Sequence, residues 1–275
     1  MAVLLSLVSA LAYGVSDFLG GVFSHRVSAW QVAIVGQSSS TFFSLLAAVI
    51  VGGAPDGRDL AFGALAGLGG GCGAAFLYRG LSTARMGVVA PISAIGTALI
   101  PVAVGVTTGD RPSAVVIAGV VLAFPAIALV SRVVDDNPAH RGGVVDGVLA
   151  GIGFGLLFTF LGQVGDEAGL YPLAVSQVTS VGSIVLTAIV LRQAWIPRDR
   201  AAWRALSMGP LGTIAQGSFL YATQHGLLSV VSVISSLYPV STVLLAAVVL
   251  RERIYGWQGV GLVAAALAVA LVAAG

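Results

Sequence analysis

The sequence predicts an all-α membrane protein with ten transmembrane helices, arranged as two inverted five-helix repeats around a central cavity. Three observations carry this prediction. The chain is 57% hydrophobic and only 9% charged, with a mean hydropathy of +1.01, whereas a soluble domain carries about a quarter charged residues. Its apolar stretches are long enough to cross a bilayer. Its two halves also repeat each other at a nearly constant offset.

The apolar stretches are separated by short connections that carry most of the charges, such as GGAPDGRD at 52–59 and VVDDNPAHRGG at 133–143. A helix needs about 20 apolar residues to cross the hydrocarbon core. Residues 1–24 lack the basic start and the cleavage site of a signal peptide, so we expect them to form the first membrane helix. The predicted spans are 2–24, 29–52, 59–82, 87–108, 113–132, 144–165, 170–192, 202–223, 228–250 and 255–274.

The repeat has an offset of 141 to 143 residues. FLY at 76–78 recurs at 219–221, and AYG at 12–14 falls opposite GFG at 153–155. Since each repeat would hold an odd number of helices, the second must enter the membrane from the opposite side. We therefore predict two inverted repeats, 1–137 and 138–275, in one integral-membrane domain. Secondary transporters use this arrangement and bind substrate near the midplane, between the repeats.

Glycines spaced four residues apart predict close helix packing, because backbones in lipid approach where side chains are small. GLGGGCG at 67–73 lacks the Lys-Ser/Thr of a phosphate loop, so ATP-driven transport is not supported. The pairs lie on the predicted third and sixth helices: Gly67/Gly71, Gly69/Gly73, Gly147/Gly151 and Gly151/Gly155.

Both ends of the chain resemble the EamA-type branch of the drug/metabolite transporter superfamily. LYPV at 237–240, LRER at 250–253 and GVG at 259–261 are similar to the ninth and tenth helices of that branch, and AYGVSDF at 12–18 is similar to its first helix. The resemblance covers the whole chain. It implies two fused five-helix units and a role in exporting amino acids or other small metabolites.

Asp17 departs from the family pattern, which commonly has an uncharged residue there, and Tyr13 stands where tryptophan is common. Asp17 is the only acid well inside a predicted span. A charge at mid-membrane costs roughly 2.5–3.5 kcal/mol on insertion scales, so it should face protein or a watery cavity. Three interpretations stay open: a helix–helix hydrogen bond, a cavity carboxylate that binds an ammonium group or exchanges a proton, or a position nearer the interface.

Other polar residues within the spans are further candidates. Tyr78 and its repeat partner Tyr221 either anchor the helix ends at the interface or line the cavity. Arg79 either reaches the headgroups or approaches a substrate carboxylate from the cavity rim. Prolines remove a backbone hydrogen bond, so we predict helix breaks at Pro91, Pro101 and Pro239. The predicted substrate-binding residues are Tyr13, Asp17, Gln37, Tyr78, Arg79, Phe154, Gln177, Gln216, Tyr221, Ser232, Ser235 and Tyr238.

Several functions find no support in the sequence. The single cysteine and three scattered histidines show no metal-ligand spacing, and no cofactor motif is present. A net charge of +2 gives no reason to expect nucleic-acid binding. An intramembrane enzyme would need a carboxylate pair, a Ser/His arrangement or metal ligands, so we do not expect an enzyme. No span centre carries Lys or Arg, which disfavours sugar phosphates as substrates.

The sequence thus predicts a secondary transporter of the bacterial cytoplasmic (inner) membrane. Its most favoured substrates are neutral or aromatic amino acids or similar small metabolites, with protons as a candidate coupling ion and no obligate protein partner. A multidrug or toxic-compound exporter of the same fold and a passive facilitator or channel are the alternatives.

Two indications of membrane orientation conflict. The odd-numbered connections hold eleven arginines, counting Arg79 at the edge of a span, and the even-numbered ones hold only Arg58 and Arg111. The odd-numbered connections are 25–28, 79–86, 132–143, 192–204 and 251–253. The positive-inside rule therefore places the termini outside. The family resemblance implies that the termini are cytoplasmic. The sequence therefore leaves the orientation open.

Overall fold

The computed structural model describes residues 1–83, 86–130, 143–249, 251 and 254–275, which are mostly helical and include no strand. The predicted repeat boundary at 137/138 and the Glu252–Arg253 pair lie outside these residues. The α-helices are α1 Ala2–Ser24, α2 Ala29–Val51, α3 Gly57–Thr83, α4 Met86–Thr108, α5 Ala114–Val130, α6 Gly143–Leu161, α7 Tyr171–Val190, α8 Met208–Thr223, α9 Leu228–Ser235, α10 Tyr238–Val249 and α11 Gly256–Ala274.

Apolar length identifies the membrane-crossing elements. Within the described ranges, seven helical segments are long and apolar enough to cross a bilayer: α1, α2, α3, α6, α7, α11, and α9 together with α10. α4 and α5 are apolar as well, and the parts of them that are described in full, Ile92–Thr108 and Ala114–Val130, are shorter than these seven segments. The boundaries of most helices lie within a few residues of the predicted spans, because charged connections delimit them. The total of ten spans stays a prediction.

The eighth predicted span begins later than expected. We predicted a helix from residue 202, but Arg200–Ser207 forms a 3-10 helix and α8 begins only at Met208. The 3-10 helix buries Ala202 and Ala205 and exposes Trp203 and Arg204. Two arginines make this stretch too polar for the start of a membrane span, although its alanines pack against α2.

Prolines act differently in α4 and in the ninth predicted span. α4 continues as one helix past both Pro91 and Pro101, so the helix breaks predicted at these two residues are wrong. The side chain of Pro91 lies outside the described residues. Since lipid cannot satisfy free backbone groups, the remaining helical hydrogen bonds are kept around each proline. At Pro239 the chain does turn: α9 ends at Ser235 and α10 begins at Tyr238. Pro239 has no N–H to donate to the Ser235 carbonyl four residues earlier.

The helices pair in a pattern that relates the two halves of the chain. α3 packs on α6 and α7, while α8 packs on α1 and α2; α4 packs on α6, while α9 and α10 pack on α1. α2 contacts α7, and α5 contacts α11. The predicted repeat makes α1 to α5 the counterparts of α6, α7, α8, the α9–α10 pair and α11. Exchanging counterparts maps the first three kinds of contact onto one another and returns the α2–α7 and α5–α11 contacts unchanged. The inverted repeat predicts such a pattern, and the repeat itself stays a prediction.

Glycine permits the closest of these contacts, as the spacing of small residues predicts. A Cβ at Gly67 or Gly71 of α3 would meet the backbone of Ser176 or Ser180 in α7. Gly151 of α6 likewise lies against Gly96 of α4. Without a hydrophobic driving force between helices in lipid, this close backbone approach supplies much of the packing energy.

The contact between α3 and α6 gives a stability prediction. A Cβ on Gly153 would lie 2.6 Å from both the Gly69 carbonyl oxygen and the Gly73 nitrogen. We expect Gly153→Ala to destabilise the protein by about 1–3 kcal/mol through overpacking. Gly182 of α7 meets nothing within 4 Å, so Gly182→Ala should be neutral or slightly stabilising. Thermal unfolding of both variants in detergent tests this, and equal midpoints would contradict it.

Candidate functional site

A narrow cavity lies among six helices, three from each half of the chain: α1, α2, α3, α6, α7 and α8. Its volume is about 40 Å³, enough for a few water molecules. Any larger solute therefore requires these helices to separate. The cavity lies where α2 and α7 contact each other and where α3 and α8 pack on the opposite half.

Seven of the predicted binding residues line this one cavity. Tyr13 and Asp17 are one turn apart on α1, so their side chains share a helix face. The other five come from five different helices, and only the tertiary structure brings them together. The seven are Tyr13, Asp17, Gln37, Tyr78, Phe154, Gln177 and Gln216.

Asp17 is buried in this wall, with 8% of its surface exposed. Among the described residues, no ion pair or hydrogen bond joins its carboxylate to another side chain. Two tyrosines, Tyr13 and Tyr78, line the same cavity as Asp17, and the ring of Tyr238 lies 6.4 Å from that of Tyr13. Asp17 therefore faces the cavity from a polar aromatic surround, which favours the cavity interpretation over a helix–helix hydrogen bond.

A pair of glutamines crosses the centre of the molecule. Gln37 Nε2 of α2 donates to Gln177 Oε1 of α7, linking the two halves. Among the described residues, this bond leaves the Gln177 amide nitrogen buried without a partner, and the buried amide oxygen of Gln216 in α8 has none either. The cavity thus offers one amide donor and one amide acceptor.

Hydroxyl groups add to this unsatisfied polarity. The hydroxyls of Tyr13, Ser176 and Ser180 line the cavity, are buried and have no hydrogen-bond partner in the described chain. Buried polar groups are nearly always hydrogen-bonded, and the exceptions need a water, ion or ligand. Together with the two amides, five unpartnered polar atoms therefore indicate a cavity that binds water or a polar solute.

Aromatic rings hold the tyrosines in place. The Tyr13 ring lies 5.7 Å from that of Phe158 and 6.4 Å from that of Tyr238, measured between centroids. The Tyr78 ring lies against Gly20, where a Cβ would approach to 2.6 Å. Ring packing and a helix surface without a side chain therefore position the two tyrosines at the cavity.

Five predicted binding residues do not line the cavity. Arg79 instead forms an ion pair with Asp146 of α6, with its Nε 2.9 Å from Oδ1, and stacks over Phe76. Tyr238 donates to Ser93 Oγ over 3.1 Å. The remaining three are Tyr221, whose carbonyl oxygen contacts His225 Nδ1, and Ser232 and Ser235, which are fully buried on α9.

The sequence analysis missed four polar cavity residues: Ser16, Ser40, Ser176 and Ser180. Helical spacing was the available signal. Ser40 follows Gln37 by three residues, and Ser180 follows Gln177 by three, so each pair shares one helix face. Serine is common at helix–helix contacts in membranes, so residue type alone did not distinguish these four from the other buried serines.

Comparison with known proteins adds a family and a fold. Residues 141–274 match the model of the EamA-like transporter family. A protein of known crystal structure is similar over 98% of this chain and 95% of its own, with a TM-score of 0.74 and 15% sequence identity. At that identity the similarity shows a common fold. No curated protein matches the sequence.

Proposed function

We propose that the protein is a secondary transporter that exports neutral or aromatic amino acids or similar small metabolites. The match of residues 141–274 to the EamA-like transporter family, which is part of the drug/metabolite transporter superfamily, supports this function. The apolar helices and this match indicate an integral membrane protein. The proposed location is the bacterial cytoplasmic membrane. The proposed mechanism is alternating access between two inverted repeats, 1–137 and 138–275.

The polarity of the cavity supports the substrate class. The Asp17 carboxylate suits a substrate ammonium group, and the Gln177 amide nitrogen with the Ser176 and Ser180 hydroxyls can donate to a carboxylate. None of the cavity-lining residues described is cationic, which fits a zwitterion better than a phosphorylated solute. Tyr13 and Tyr78 offer apolar ring faces to a side chain.

Alternating access accounts for the small size of the cavity. A space that holds a few water molecules cannot hold an amino acid, so the substrate must bind in a state with the six helices further apart. The proposed repeats would give two such states of similar energy, one open to each side.

Counterflow in liposomes tests this function. Purified protein in vesicles preloaded with unlabelled amino acids should take up radiolabelled neutral or aromatic amino acids without ATP. Uptake should accelerate with amino acid on the trans side, because a carrier returns faster when loaded and a channel does not. Absence of uptake across an amino-acid panel, together with movement of phosphorylated solutes, would disprove the substrate class.

Export of organic cations is the second candidate. A lone carboxylate beside the rings of Tyr13, Tyr78 and Phe154 is a favourable surround for a cation, which aromatic faces attract. A hydrophobic cation without a carboxylate would leave the Gln177 donor unused. Competition between amino acids and organic cations tests whether the two candidates use the same cavity. Amino acids should inhibit cation counterflow only if both solutes bind there.

Tyr13 gives a test of the cavity with little effect on folding. Its hydroxyl is buried without a protein partner, so Tyr13→Phe should leave the thermal midpoint unchanged or slightly higher. If the substrate bonds this hydroxyl, its affinity should fall about two- to tenfold, the range of a typical hydrogen bond. Tyr221→Phe, outside the cavity, is the matched control. Equal substrate affinity of the two variants would show that the Tyr13 hydroxyl does not bind the substrate.

A further inference from the structure

The connection between α7 and α8 forms a structured cover over one end of α2. Ser28 Oγ donates to the Ala194 carbonyl oxygen over 3.1 Å, and Ser39 Oγ donates to the Leu206 carbonyl oxygen over 2.8 Å. Ala202 and Ala205 of the 3-10 helix are fully buried. Residues 192–206, here called the arginine segment, are therefore held against the bundle by defined contacts.

The outer face of the arginine segment is basic. Arg192, Arg198, Arg200 and Arg204 are all exposed, and no ion pair involves them among the described residues. The only acid in the segment is Asp199, whose carboxylate accepts a hydrogen bond from the Ala201 backbone nitrogen. The excess positive charge on this face is therefore not balanced within the segment.

Large apolar side chains project beside these arginines. Ile196, Trp203 and Leu206 are each about half exposed, at 50%, 51% and 45%. Tryptophan with arginine at the end of an apolar helix is typical of the membrane–water interface. Arg26 is exposed in the α1–α2 connection, two residues before Ser28, and adds positive charge near the segment.

We propose that the arginine segment binds anionic phospholipid headgroups at the membrane surface. The guanidinium groups would pair with headgroup phosphates, for which their planar fork is well suited. Ile196, Trp203 and Leu206 would enter the boundary between headgroups and acyl chains. The arginine segment joins two helices of the bundle, so its exposed side already lies at the membrane–water interface. Lipid binding therefore requires no separate segment of the chain to insert into the membrane.

Thermal unfolding in detergent with added lipid tests the proposal. We compare phosphatidylglycerol with phosphatidylcholine on the wild-type protein, on R200Q/R204Q and on the control R58Q/R111Q. The control removes the same charge from the first turn of α3 and from the connection that precedes α5. Phosphatidylglycerol should raise the midpoint of wild type and control. Each arginine near an anionic surface contributes about fivefold to binding, so R200Q/R204Q should require roughly 25-fold more lipid for the same shift.

Three outcomes would overturn the proposal. These are an equal response of R200Q/R204Q and wild type, an equal effect of phosphatidylcholine, and an equal effect of inorganic phosphate, which would indicate a site for free anions. If R200Q/R204Q fails to fold, R192Q/R198Q replaces it, because both of those residues lie outside the 3-10 helix. The measurement needs no transport activity, so it is independent of the proposed substrate.

Discussion

An Asp17→Asn variant is expected to lose pH-driven accumulation of substrate in proteoliposomes, down to the level of empty vesicles, and to retain substrate exchange. Asparagine preserves the shape of the side chain but cannot carry a proton. Asp17 faces the cavity and no side chain of the described residues neutralises it. Under the proposed function, a proton and a substrate ammonium group would compete for this carboxylate, and that competition would couple the two fluxes.

The control for this experiment is Asp166→Asn, which removes an exposed carboxylate from the α6–α7 connection. It should accumulate substrate as the wild type does. Thermal unfolding separates coupling from a purely structural role. If Asp17→Asn lowers the unfolding midpoint but leaves transport per folded molecule intact, Asp17 holds helices together and the coupling hypothesis fails.

An Asp146→Ala variant is expected to lose about 2 kcal/mol of stability. The Asp146 carboxylate is buried, while 30% of the Arg79 side chain is exposed. Exposed pairs contribute about 0–1 kcal/mol, whereas removing one partner of a fully buried pair costs about 3–5 kcal/mol. The Arg79–Asp146 pair is intermediate. It also joins α3 to α6, so its loss should loosen a contact between the two halves of the chain.

A double-mutant cycle measures this interaction. The variants are Arg79→Leu, Asp146→Leu and their combination, with Asp166→Asn as the control for removing a surface acid. We expect the double variant to be more stable than Asp146→Leu, because it no longer buries an arginine without its carboxylate. Additive effects of the two single substitutions would show that the ion pair contributes nothing to stability.

Local features of the sequence were sufficient to place most helices. In the bilayer, each spanning segment must satisfy its own backbone hydrogen bonds. A long apolar run between charged connections therefore predicts a helix without further information. α1 and α2 begin at the predicted residues for this reason. The prediction was wrong at residue 202, where an amphipathic 3-10 helix precedes α8. This surface element is held by contacts with α2, and no long apolar run in the sequence identifies it.

Residue type identified polar candidates within the spans, but not which side of each helix they occupy or which of them line one cavity. Tyr78 and Arg79 are adjacent in sequence, yet one lines the cavity and the other pairs with Asp146. Asp146 lies at the start of its predicted span. The sequence does not indicate that it pairs with Arg79 of α3, because the two residues lie 67 positions apart.

The sequence by itself determined that the chain is apolar enough to reside in lipid, where most of its helices begin and end, and that Asp17 needs polar surroundings. Each of these follows from interactions within one helix or between one helix and its solvent. Only the tertiary structure decided that Gln37 forms a hydrogen bond with Gln177 and that the serines of α9 do not line the cavity. The rotation of each helix about its axis depends on backbone contacts between glycine faces, and those contacts exist only after the helices have packed.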